Sequence, residues 1–146
     1  MRWCARAFGL AGLLAVPVAA QAPMGKAGMP EAAPLPVSRP ADPANGRKIV
    51  VERRLGFCLL CHSGPFPEAR FQGDLAPSLA GTGTRWTEGQ IRARLIDSTA
   101  INAETIMPPY FRTGGGNRIG PAFSGKPILN AEEIEDVTAF LTTLRD

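Results

Sequence analysis

Two cysteines and the chain's single histidine fall within five positions, in the stretch Gly56-Phe57-Cys58-Leu59-Leu60-Cys61-His62. Nothing else in the sequence restricts the fold as much. Three side chains capable of ligation or nucleophilic chemistry, spaced at i, i+3 and i+4, share one face when the segment is helical. The fold must therefore place a single object within reach of all three.

The third cysteine, Cys4, lies in a stretch of different character. MRWCAR carries Arg2 and Arg6, and Ala7 to Ala20 is an unbroken run of small or apolar residues closing on Ala20-Gln21-Ala22. At 14 residues the run falls short of a membrane span, which needs about 20. A basic flank, a short apolar run and small residues at its end form the pattern of a secretory signal. Residues 1–22 are expected to be a signal peptide, removed after Ala20 or Ala22, with no stable membrane insertion afterwards; a retained anchor is the alternative. Cys4 precedes the apolar run and leaves with it.

Subtracting Arg2 and Arg6 from the 16 basic residues leaves 14 against 13 acidic ones. No basic run is interleaved with aromatics, so nucleic acid is not an expected partner. Export places Cys58 and Cys61 in an oxidising compartment. A disulfide between them would close so short a loop that it adds little stability, which makes a structural bridge a poor account of the pair.

From Pro23 to Pro43 there are six prolines among Ala, Gly, Met and Ser. Such a segment has little apolar surface to bury, so 23–42 is expected to be a linker or a partner-wrapping arm. Residues 43–146 form the expected domain, large enough for one modest core. Three helices can be placed in it. The first begins near Asp42, with Pro43 in the first turn, and its apolar positions Ile49, Val50, Val51, Leu55 and Leu59 run towards the cysteines. The second opens on a capping box, Thr87 with Gln90, before Ile91, Leu95 and Ile96. The third opens on Asn130 with Glu133, has Glu132, Glu133, Glu135 and Asp136 early, and carries Ile134, Val137, Leu141 and Leu144 at helical spacing. No alternating run is long enough for a strand. The expected fold is all-α with long Gly/Pro-rich loops, and the loop from Ser63 to Arg85 has little core of its own.

A covalent haem answers both the spacing and the missing core. In a c-type site each cysteine sulfur is bonded to one vinyl-derived carbon of the porphyrin and the adjacent histidine ligates the iron, so one haem c held by Cys58, Cys61 and His62 is expected. Two rival readings apply to the same residues. A redox dithiol would want a βαβ context, which is absent. A zinc site would need a fourth ligand that no other Cys or His supplies. For the sixth iron position the candidate is Met107, 45 residues after His62 in Thr105-Ile106-Met107-Pro108-Pro109-Tyr110, where the following proline discourages helix; a packing role is its alternative. Met24 and Met29 lie in the arm. A His/Met pair leaves the iron no open position, which points to electron transfer rather than catalysis at the metal. The segment Gly73 to Gly81 is expected beside the histidine, with the Pro77 carbonyl accepting from its second ring nitrogen, a plain turn being the alternative. Arg85 and Trp86 are candidates for a haem propionate, although Trp86 at the haem edge or in helix packing fits equally. Gly114-Gly115-Gly116 follows no strand and opens no helix, so it is expected to be a loop and not a phosphate cradle.

FCLLCH (Phe57 to His62), FQGDLAPSLAG (Phe71 to Gly81), RWTEGQ (Arg85 to Gln90), IMPPY (Ile106 to Tyr110) and GKPIL (Gly125 to Leu129) together resemble SoxX, the monohaem subunit family of SoxAX cytochromes. The resemblance runs from about Asp42 to Arg145. It implies a class I cytochrome c-like single domain in the periplasm, with Cys58 and Cys61 holding the haem, His62 proximal and Met107 distal. It also implies a heterodimer with a SoxA-like cytochrome, which conjugates thiosulfate oxidatively to a cysteine of the SoxYZ carrier. In such an L-cysteine S-thiosulfotransferase complex this chain would be the non-catalytic haem subunit, passing electrons to a downstream cytochrome. The resemblance does not fix whether Gly46 packs on Phe140. A mobile cytochrome c serving a terminal oxidase is the alternative function, and a gas-binding haem protein the second. The gas-binding type places its Cys-x-x-Cys-His near the chain end without a distal methionine, whereas 84 residues follow His62 here.

Overall fold

A computed structural model describes residues 27–113 and 120–145. The expected signal peptide 1–22 with Cys4, Met24 in the arm, and Gly114-Gly115-Gly116 lie outside the described residues. Five helices follow in chain order: α1 (Pro43–Val51), α2 (Cys58–Cys61), α3 (Thr82–Arg85), α4 (Glu88–Asp97) and α5 (Ala131–Thr143), with 3-10 turns at Ser98–Ala100 and Pro121–Phe123. Among the described residues there is no strand, only an isolated parallel bridge between His62 and Ala76.

The three sequence-predicted helices form where their local signals put them. Asp42 caps α1 through the amide of Ala44, and both expected capping boxes are present, Thr87/Gln90 on α4 and Asn130/Glu133 on α5. The first helix is shorter than its apolar pattern implied. α1 stops at Val51, and a turn through Gly56 separates it from α2. Leu55 is accordingly exposed, while Leu59 is buried.

α1 and α5 cross in close contact, and a glycine sets the approach. A Cβ on Gly46 would run into the Asp136 carbonyl and come within 2.9 Å of the Phe140 Cβ, so Gly46 does pack on Phe140. Gly83 does the same for α3 against Thr142. The core beneath combines Ile49 and Val50 of α1, Ile91 and Leu95 of α4, and Ile134, Val137 and Leu141 of α5.

Two ionic hubs fasten Glu31 to Asp42 along α4 and α5. Asp136, fully buried, accepts from Arg39 (2.9 and 2.5 Å), the Asp42 amide (2.6 Å) and Asn45 (2.8 Å). Burial pushes its carboxyl up, but the Arg39 guanidinium, the Asp42 amide and Asn45 outweigh that and hold it below the usual carboxylate range. The second hub is the buried pair Arg92–Glu135 (2.8 Å), in which Arg92 also donates to Ala32 O and Glu135 accepts from the Leu35 amide. The proline-rich arm thus lies, over these residues, on its own domain. Buried charges of this kind are tolerated because each is fully hydrogen-bonded.

Candidate functional site

Gly56 brings the end of α1 to the cysteine helix. Its amide donates to Ile49 O (3.2 Å), and a Cβ there would sit 2.7 Å from that carbonyl and 3.0 Å from Cys58 Sγ. Phe57 follows with φ +58°, a left-handed conformation that a phenylalanine adopts at some cost. That turn aims α2, and His62 emerges from its C-terminal end with its amide bonded to Cys58 O.

The segment after the cysteines returns alongside them. Gly73 N donates to Leu59 O (3.0 Å), Ala76 N to Cys61 O (2.9 Å) and Leu79 N to Ser63 O (2.7 Å). This places the Pro77 carbonyl 2.7 Å from His62 Nδ1, as the sequence led us to expect. A carbonyl can only accept, so Nδ1 carries the proton and Nε2 is left with its lone pair, the form that ligates a metal. Gln72 secures the intervening loop by accepting from Gly64 N and donating to Phe66 O and Ala69 O.

Met107 comes from the loop that follows the 3-10 turn at Ser98–Ala100. Its carbonyl accepts from Ser98 Oγ (2.7 Å) and its amide donates to Thr105 Oγ1 (3.2 Å). Cys58, His62 and Met107 line one cavity, walled by Val50, Leu79, Leu95, Tyr110 and Leu141. Cys61 closes the same helical turn as Cys58 but is not part of that lining.

The donor set fits an iron porphyrin. An imidazole nitrogen and a thioether sulfur share an apolar cavity with a cysteine sulfur. Among the described residues no group of three or more His, Cys, Asp or Glu gathers as a zinc site would require. Burial pushes the Cys58 thiol up to about 11, against a smaller opposing effect from Tyr110. A redox dithiol is activated by the reverse shift, so Cys58 lacks that activation.

Arg85 braces the neighbouring loop, and Trp86 packs against the core beside α4. The Arg85 guanidinium donates to the carbonyls of Ser78 (2.7 Å) and Ala80, bracing the Pro77 segment, and Arg94 stacks 3.7 Å over the Trp86 ring. Reading the sequence missed Gln72 and the Tyr110 hydroxyl, which donates to Gly56 O at 2.6 Å. No local signal announces either contact, since each is made across a loop. No helix among the described residues is long and apolar enough to cross a membrane.

The family model for cytochrome c matches residues 43–145. Among solved structures, the chain is similar to the crystal structure of SoxXA from P. pantotrophus, at 40% sequence identity and a TM-score of 0.68, over 75% of this chain and 85% of that one. The comparison with curated proteins finds no match.

Proposed function

We propose, since this chain belongs to the cytochrome c family and is a SoxX-like cytochrome with covalently attached haem c, that it is the electron-accepting subunit of a periplasmic SoxXA-type complex. The observation that carries this reading is the convergence of a tautomer-fixed His62, Met107 and Cys58 on one apolar cavity. Cys58 and Cys61 would hold the haem as thioethers, and His62 Nε2 and the Met107 sulfur would ligate its iron. Bound there, the haem stores one electron at a time. Val50, Leu79, Leu95 and Leu141 give the site an apolar wall, and with both protein ligands bound the iron would have no position for oxygen or substrate.

The partner follows from the relative, which is a SoxXA complex, and from the surface. Leu60 is exposed on α2, and Phe71 and Leu75, 78% and 72% exposed, flank the Gly73 segment bonded to it; Ile106, 77% exposed, adjoins Met107. Large exposed apolar side chains around a site favour a lasting interface. The occupant is a SoxA-like cytochrome, which performs thiosulfate conjugation to a SoxYZ cysteine and hands the electrons to this chain, and a downstream cytochrome removes them.

Affinity purification from the native periplasm tests this. A second cytochrome should co-elute and remain bound through gel filtration, and Phe71→Ser with Leu75→Ser should release it. Isolation as a haem-loaded monomer would favour the mobile carrier instead.

A further inference from the structure

We propose that Tyr110 is a positioning residue that ties the methionine loop to the haem-attachment turn and so sets how firmly Met107 stays on the iron. The inference rests on Met107 being the distal ligand. Between Met107 and Tyr110 stand Pro108 and Pro109, neither with an N–H to donate. The span is therefore fixed only from its ends. At one end Ser98 holds the Met107 carbonyl. At the other, Tyr110 N donates to Leu95 O (3.0 Å), Tyr110 O accepts from Leu129 N (3.0 Å), and the hydroxyl reaches Gly56 O. Tyr110 is thus bonded to α4, to the approach to α5 and to the residue two before Cys58.

The hydroxyl matters more once the haem is attached. Gly56 is buried, and its carbonyl has two donors, Tyr110 Oη at 2.6 Å and Cys58 Sγ at 3.3 Å. Thioether formation would remove the Cys58 S–H, leaving Tyr110 Oη as the remaining one of these two donors to the Gly56 carbonyl. A buried carbonyl without a donor is costly, and the attachment turn and the methionine loop relieve that cost by separating.

Tyr110→Phe in the haem-loaded protein keeps the ring and removes the donor. Imidazole, added as a competitor for the sixth position, should bind about tenfold more tightly, with early loss of the red charge-transfer band on warming. Phe66→Leu, on the Phe140 side of the core, is the control. It should lower global stability without altering imidazole affinity. Equal imidazole affinity in wild type and Tyr110→Phe overturns the proposal, as does an equal gain in Phe66→Leu. Should Tyr110→Phe yield no loaded protein, Ser98→Ala cuts the other tether and should shift imidazole binding the same way; no shift then overturns it. Met107→Ala separates the underlying reading, because a band that survives that change refutes Met107 as ligand whatever Tyr110 does.

Discussion

At the scale of single residues, His62, Met107 and Cys58 line one cavity and are anchored by hydrogen bonds. His62 has spent Nδ1 on Pro77, and Met107 has spent its amide and carbonyl on Thr105 and Ser98. What remains on each, an imidazole Nε2 and a thioether sulfur, is a group able to ligate iron. Met107→Ala should abolish the weak red charge-transfer band of the ferric protein and lower the reduction potential by more than the ~60 mV equivalent to a tenfold change in relative affinity. An unchanged absorption spectrum and potential would show that another group fills the sixth position. The His62–Pro77 contact was readable because a ligating imidazole needs an acceptor and Pro77 lies 15 positions on. Tyr110 was not, because its partner is 54 positions away and a tyrosine carries no mark of the carbonyl it will find. Arg85 shows the same limit: its contacts with the Ser78 and Ala80 carbonyls carry no local mark in the sequence.

Among the elements, those with local start signals were legible, and those held by distant contacts were not. The caps of α1, α4 and α5 are short-range hydrogen bonds written into adjacent residues. α3, four residues long, exists because Gly83 N donates to Leu144 O at the end of α5 and Gly83 tolerates the approach. The α1–α5 crossing depends likewise on Gly46. Gly46→Val should cost about 3 kcal/mol through overpacking, seen as a lower guanidinium midpoint; an unchanged midpoint would mean the crossing can widen freely. Asp136 binds the arm and α1 to α5, and its depressed carboxyl makes a pH prediction. The stabilisation is fully present above the unfolded value near 3.9 and is lost as pH falls through the lower folded value. Asp136→Asn should therefore lose about 2 kcal/mol at pH 7, discounted from a fully buried pair because the Arg39 side chain is 43% exposed. The gap from wild type should narrow progressively below pH 4. A gap that stays constant down to pH 3 would show that the charge on Asp136 is not what stabilises the junction.

Over the whole molecule, the inventory for chemistry is brief: the proposed arrangement consumes both domain cysteines and closes the iron. Joining thiosulfate to a thiol removes two electrons, while one haem takes one. The purified chain, given thiosulfate, carrier thiol and an electron acceptor, should show no turnover, and adding a SoxA-like partner should restore it. Turnover by the lone chain at the rate of the complex would place catalysis here after all. The arm has a further consequence for the order of events during synthesis. A growing chain releases Glu31 to Asp42 ahead of every helix described and α5 after the others, yet Leu35 bonds to Glu135, 100 positions away. Cys58 to His62 emerge 69 residues ahead of Ala131, while the wall that Leu141 supplies does not yet exist. Without α5 the cavity would lack that part of its wall. Closing so long a loop is slow relative to local helix formation, so the segment made first settles last, and pulse-labelled refolding should find the Leu35 amide protected after those of α4. The Leu35–Glu135 contact then acts as a latch on a finished product: it can engage only once α5 is present.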